Sequence, residues 1–340
     1  MDILTELETL CGLNGISGDE GAVREYIISQ IEGKCEYSID PLGNIIAFCK
    51  GIKTPDKKLM ISAHMDEVGF IVTYITDKGL IKFAPVGGVD PRIVFGKRVS
   101  IGKNGIVGVV GGKALHHLES DEKEKAVPFD KLYIDIGADS KEQAEKYVSL
   151  GDSVCFDNSF ITMGDKIKSK AIDDRAGCAV MLDMIRQGVE YDTYFTFVVQ
   201  EEIGLRGSTA AAYTVAPDYA IVLEATTAAD IPASSDDKRV CELDKGAVVS
   251  FMDRSTMYDK ELYQLAFDIG AQKGIPVQTK TMVAGGNDAG AIHKSRGGVR
   301  TCALSVPCRY LHSPSCVISK NDLQSVRALA GELSKRIFEL

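Results

Sequence analysis

Leu59-Met60-Ile61-Ser62-Ala63-His64-Met65-Asp66-Glu67 is the stretch on which the reading of this chain turns. An apolar run stops abruptly at a histidine, with a carboxylate two residues on. A short buried strand reads this way, followed by the loop that leaves its carboxyl end. Open α/β sheets carry their ligands at that edge.

On the N-terminal side, a short helix precedes Gly15-Ile16-Ser17-Gly18-Asp19-Glu20. Ser17 with Glu20 fits a capping box ahead of a helix whose Val23, Ile27 and Ile31 share one face. Asp40-Pro41-Leu42-Gly43-Asn44 marks a turn between two strand-like runs. On the C-terminal side the texture changes over residues 71–163. Short Val/Ile runs alternate with glycines, as in Pro85-Val86-Gly87-Gly88-Val89 and Gly108-Val109-Val110-Gly111-Gly112. This predicts a small, mostly antiparallel β-domain inserted into the chain. A charged, exposed segment is expected from Glu119 to Lys125, and a short helix from Ser140 to Val148.

The strand-helix pattern resumes at Ile172-Asp173-Asp174-Arg175-Ala176-Gly177, which opens a helix to about Gln187. Tyr194 to Gln200 reads as an apolar strand ending in Glu201-Glu202. Tyr219 to Leu223 reads as another, ending in Glu224. Val299 to Val306 is a third, leading into Arg309-Tyr310-Leu311-His312-Ser313-Pro314. Asn321 is placed to cap a last amphipathic helix. Strands alternating with helices predict an α/β fold: a mixed, largely parallel sheet with helices on both faces. The catalytic unit is then residues 1–70 and 164–340, with 71–163 inserted.

Taken singly, each polar candidate has a plain reading. His64 suits a satisfied structural imidazole, and Asp173-Asp174 complements a helix dipole. Glu224 suits a salt bridge, and His312 a turn. Glu201-Glu202 is harder to dismiss, because two carboxylates after a buried strand are costly unless a cation or proton compensates. Four strand ends and one helix start therefore bring Asp, Glu or His to one edge. Carboxylate and imidazole without thiolate suit zinc, cobalt or manganese. Two such cations need a bridging carboxylate and about four further ligands. His64, Asp173, Glu202, Glu224 and His312 supply that count. Glu201 and Glu202, as neighbours at a strand end, are expected to point to different sides.

These motifs, together with Val86-Gly87-Gly88-Val89-Asp90-Pro91-Arg92 and Gly285-Gly286-Asn287-Asp288-Ala289-Gly290, resemble the tetrahedral (TET) metalloaminopeptidases. That family comprises glutamyl and deblocking aminopeptidases once also labelled cellulase M, and the match covers nearly the whole chain. The resemblance implies a zinc-peptidase or phosphorylase-like fold with a PDZ-like inserted domain that mediates dimerisation, and dimers assembled into a hollow dodecamer. It implies two divalent metal ions per subunit, zinc or cobalt with manganese possible, and short peptide substrates. Asp173 bridges the ions, in preference to Asp174, because related enzymes keep a glycine four residues after the bridge and Gly177 fits. His64 and Glu224 complete one ion's site, Glu202 and His312 the other's. Glu201 is the general base, and Asp66 orients His64. Cys316 stands where the family often carries Glu, and Asn287 where Thr is common. His116 and His117 are read as structural or interfacial, and His293 as a helix residue.

Composition bounds the alternatives. Hydrophobic residues at 45% and charged residues at 26% predict a sizeable core. A net charge of -9 argues against nucleic acid or anionic membrane as partner. No signal peptide or bilayer-spanning run is read, which suits the cytoplasm. Nine cysteines, an odd number without a CxxC pair, make a disulfide framework unexpected. Two rival functions are an endoglucanase-like hydrolase, whose activity would survive chelation, and a non-catalytic assembly protein, which would bind no metal.

Overall fold

The computed structural model describes residues 2–117, 125–157, 159–232 and 234–340. The expected charged segment after His117 lies outside these, apart from Lys125. Eight helices are described: α1 Ile3–Gly12, α2 Gly21–Ile31, α3 Lys141–Ala144, α4 Ile172–Gln187, α5 Arg206–Val215, α6 Lys260–Lys273, α7 Ala289–Ile292 and α8 Lys320–Arg336. The strands before the second half are β1 Glu36–Ile39, β2 Ile45–Cys49, β3 Leu59–His64, β4 Gly69–Ile75, β5 Ile81–Val86, β6 Arg98–Ile101, β7 Ile106–Gly111, β8 Tyr133–Asp135 and β9 Ser153–Phe156. Those after it are β10 Ile161–Met163, β11 Lys166–Ser169, β12 Thr193–Val198, β13 Tyr219–Thr227, β14 Ala247–Val249, β15 Val277–Thr279, β16 Arg300–Arg309 and β17 Cys316–Ser319.

One sheet runs β1-β2-β12-β3-β13-β16-β17-β11-β10, with β14 and β15 beside β16. β3 lies at its middle, parallel to β12 and β13, and all six of its residues are buried. Leu59, Ile61 and Ala63 face the core shared with α1, α2, α4, α6 and α8. Met60 faces the smaller core under α5 and α7. Burial on both faces is why this strand reads as a continuous apolar run rather than an alternation. Each large apolar side chain sealed this way contributes about 1.5–3 kcal/mol, so the strand is fixed in register and His64 with it.

The sheet is mixed rather than largely parallel. Only its centre, β12-β3-β13-β16, and the β14-β15 pair are parallel. The outer strands are joined by tight turns, β1 to β2 and β10 to β11, and such turns enforce antiparallel pairing. Between β3 and β10 the chain forms a separate closed antiparallel barrel, β4-β5-β8-β7-β6-β9. It has its own core, built on Phe70, Phe83, Val99, Ile134, Val154 and Phe156.

Several local expectations are corrected. Ser17 does not cap α2; its hydroxyl donates to Asp66 Oδ2, and the cap residue is Glu20. Glu20 instead accepts from the Gly18 and Gln200 amides. Asn321 lies inside α8, whose cap position is Ser319. Helix α3 is a single turn, begun by Ser140 accepting from the Gln143 amide. β12 ends at Val198, so Glu201 and Glu202 sit in the turn after Gln200 (φ 57°), and strand alternation cannot set their directions. β13 runs on to Thr227 against β16, so Glu224 lies within the strand. Cys35 and Cys49 form a disulfide, because the β1-β2 pairing sets their Cα atoms 4.8 Å apart. The other seven cysteines are free and buried.

Candidate active site

The site lies where the parallel strands end. His64 is the last residue of β3, and Asp173 and Asp174 open α4 at a cis peptide. Glu202 comes from the turn after β12, Glu224 from β13, and His312 (φ 57°) from the turn between β16 and β17. His64 Nε2 lies 3.3 Å from Asp173 Oδ1 and 3.8 Å from Glu224 Oε2. His312 Nε2 lies 3.4 Å from Asp173 Oδ2 and 3.4 Å from Glu202 Oε1. Asp173 thus turns one oxygen to each imidazole.

Backbone carbonyls set both rings. His64 Nδ1 faces the Asp66 carbonyl at 3.0 Å and His312 Nδ1 faces the Gly88 carbonyl at 2.9 Å. A carbonyl only accepts, so each Nδ1 carries a hydrogen and each Nε2 is left facing the carboxylates, to which it donates when the ring is protonated and beside which it offers a lone pair to a cation when the ring is neutral. Asp66 is fully buried. Its carboxylate accepts from Ser17 Oγ (2.6 Å), the Glu201 amide (3.0 Å) and the Glu202 amide (3.1 Å). One acidic side chain therefore ties together the β3 end, the loop before α2 and the Glu201-Glu202 turn.

The electrostatics follow from crowding. Burial pushes Glu202 up to about 7, with Asp173 adding to it and His312 opposing. Burial raises Glu201 and Glu224 well above the usual carboxylate range, and neighbouring carboxylates add to it. Burial also lifts Asp174 well up. Burial acts against Asp173 too, yet its hydrogen bonds to His312 and His64 hold it low. For His64 and His312 burial favours the neutral ring, but Asp173 and the other carboxylates win. His64 is raised well up and His312 to about 10.

These donors fit divalent cations. Five carboxylates face two imidazoles in a buried space, an excess of negative charge that a pair of dications would balance. His64, Asp173 and Glu202 offer ligand atoms within 4.8 Å of one another, as do His64, Asp174 and Glu224. Glu224 Oε1 and Asp174 Oδ2 are buried with no hydrogen-bond partner among the described residues. The other Asp174 oxygen accepts from the Gly177 amide at 2.9 Å. A side chain at Gly177 would strike the Asp174 carboxylate at 2.4 Å.

Three contributors went unread in the sequence. Glu67, beside Asp66, is buried against Lys170, and Arg175 lies 3.8 Å away. Arg175 also donates to the carbonyls of Leu10 and Gly15, fastening the first helix-loop segment to the start of α4. Charges set beside Lys168, Ser169, Asp173 and Asp174 resemble surface sequence, which hid the burial of Lys170 and Arg175. The third is the glycine pair after β5. A Cβ at Gly88 would stand 3.3 Å from His312 Nδ1, and one at Gly87 3.2 Å from Glu202 Cβ. The barrel thereby presses backbone against the site, which is what the Val86-Gly87-Gly88-Val89 motif is for.

The remaining candidates lie elsewhere or in support. His116 and His117 are exposed with their rings stacked, and neither joins the cluster. His293 Nδ1 faces the Ala289 carbonyl at 2.8 Å. Asn287 bonds Tyr258 Oη and the Ala289 amide. Cys316 is buried, its Sγ near the Ser313 carbonyl. The histidines and carboxylates line a cavity of about 580 Å³. A larger cleft of about 770 Å³ between α2 and the barrel is lined by no histidine and by none of these carboxylates, so the candidate site is the smaller one.

The sequence profile of the M42 glutamyl aminopeptidases matches residues 43–329. The chain belongs to this M42 family. It is an aminopeptidase, a hydrolase of the exopeptidase kind. A putative aminopeptidase of Acetivibrio thermocellus is 41% identical over 97% of this chain and 98% of its own. The lysyl aminopeptidase of Pyrococcus furiosus is 31% identical over 95% and 94%. The Pyrococcus horikoshii TET1 peptidase, which assembles into a tetrahedron or a large octahedral shell, superposes with a TM-score of 0.86. It is 33% identical, over 98% of this chain and 99% of that one. Among the described residues no helix is long and apolar enough to cross a membrane.

Proposed function

We propose that this M42 aminopeptidase works with two divalent cations, zinc or cobalt, and removes N-terminal residues from short peptides. The observation that carries the reading is Asp173, with one oxygen toward the Nε2 of each of two imidazoles. His64, Asp173 and Glu224 would hold one ion, and Asp173, Glu202 and His312 would hold the other. Asp174 is the weaker bridge, since one oxygen is engaged by the Gly177 amide. Cations held there supply Lewis acidity toward a peptide carbonyl and make water acidic near neutral pH.

Glu201 is the general base. It lines the same cavity but belongs to neither ligand cluster, and burial favours its protonated form. A carboxylate with a raised pKa accepts a proton from the attacking water and delivers it to the departing amine. Asp66 acts through His64 and through the amides of Glu201 and Glu202, holding them in register with the ligands. The test is Glu201→Gln. Turnover should fall by at least about 100-fold with metal content unchanged, measured by atomic absorption beside an aminoacyl chromogenic assay. Lost metal would show that Glu201 is a ligand.

Self-association belongs to the same reading. The barrel exposes Phe95, Val107 and Val109, which suits a subunit contact, and the P. horikoshii relative is a shell. Light scattering should give a multiple of the monomer mass. A monomer at micromolar concentration would refute this part.

A further inference from the structure

The cavity that holds the histidines has a second chemical character. Lys280, directly after β15, lines it together with Val240 and Ala284. The residue is 8% exposed. Its Nζ donates to the Ala284 carbonyl at 3.0 Å, and among the described residues no carboxylate pairs with it. The other buried lysine, Lys170, rests on Glu67. An ammonium withdrawn from water with a single carbonyl partner is costly to keep. Asp173, Glu202 and Glu224 of the same cavity do not relieve it, because they turn toward His64 and His312. Membership of the family leaves the preferred N-terminal residue open, since the family is named for glutamyl substrates and the P. furiosus relative for lysyl ones.

We propose that Lys280 is the specificity-determining residue of this cavity, its ammonium receiving the side-chain carboxylate of an aspartyl or glutamyl residue at the peptide N-terminus. The proposal rests on the aminopeptidase reading above. An acidic side chain completes the ammonium's hydrogen bonding with a charge-assisted bond in a space partly closed to water. A leucyl side chain leaves it unpaired. A lysyl side chain sets like charge against it, so the site both attracts one class and rejects another.

The experiment uses the full-length protein reloaded with zinc or cobalt after chelation, and glutamyl, aspartyl, leucyl and lysyl chromogenic amides. The wild type should show its highest kcat/KM on the acidic substrates, and their KM should rise with salt. Lys280→Met should lower kcat/KM on the glutamyl substrate about 100-fold, the usual scale for losing one partner of a shielded charge pair. The leucyl value should stay within about threefold, because that substrate never used the charge, and metal content should be unchanged. Faster turnover of leucyl or lysyl than of acidic substrates by the wild type overturns the proposal alone and needs no variant. An equal loss on all substrates in Lys280→Met, with metal retained, also overturns it and makes Lys280 a support of the Ala284 loop. Absence of turnover on every substrate by the metal-loaded wild type overturns the aminopeptidase reading itself.

Discussion

Replacing Asp66 by Asn probes the architecture of the site more sharply than removing any ligand. Asp66 Oδ2 accepts from Ser17 Oγ and the Glu202 amide, while Oδ1 accepts from the Glu201 amide and lies 3.4 Å from His64 Nδ1. An amide of the same shape has one accepting oxygen and one donating NH2. In either orientation the NH2 meets at least one backbone N–H, so one buried donor is orphaned, at about 1–3 kcal/mol, and the surviving bonds lose their charge, at about 1 kcal/mol each. The metal-free protein should therefore lose about 3–5 kcal/mol, read as a drop in the urea midpoint at unchanged slope. The turn carrying Glu202 and the ring of His64 both lose their anchor, so metal affinity should fall about 10–100-fold in a chelator competition. Ser17→Ala removes only the hydroxyl donor and should cost about 1 kcal/mol with little change in affinity. An Asp66→Asn protein that matches the wild type in midpoint and affinity would refute the anchoring role.

Metal uptake should release protons and tighten with pH. Without cations, burial holds Glu202 up to about 7, and His312 is lifted to about 10 against its burial by Asp173 and Glu202. Both carry protons at or below neutrality that a cation must displace, so apparent affinity rises most steeply up to about pH 7, where both protons are displaced, and more gently from there to about pH 10, where only that of His312 is. Calorimetry in two buffers of different ionisation enthalpy measures the release, and a flat profile with no proton release would contradict the ligand assignment. Lys170→Met should destabilise the protein by about 3–5 kcal/mol, because it leaves Glu67 charged and buried. A loss under about 1 kcal/mol in urea titration would mean that Arg175 alone neutralises Glu67.

What could be read in the sequence was what periodicity and topology carry. The apolar run into His64 fixes a central strand, and parallel strands necessarily deliver their carboxyl ends to one edge. His64, Glu202, Glu224 and His312 are gathered there with Asp173. What could not be read depends on contacts between distant segments. Ser17 has the spacing of a helix cap, but Asp66 offers a buried carboxylate that outcompetes a helix amide. Glu201 and Glu202 looked like a strand end because the apolar run continues through Val199, yet Gln200 takes a left-handed backbone and starts a turn. The β1-β2 disulfide was invisible in cysteine counts, since only the hairpin register brings Cys35 beside Cys49.

The Gly88 carbonyl has a bearing on any attempt to pare this protein down. The barrel looks detachable: it closes on itself, owns its apolar interior, and its first and last strands, β4 and β9, lie side by side. Cutting it away and stitching Glu67 to residue 160 would nonetheless strip the proton acceptor from the Nδ1 side of His312. The proton could then settle on Nε2 instead, and the minimal protein would keep every candidate side chain with one imidazole turning an N–H, rather than a lone pair, toward a cation.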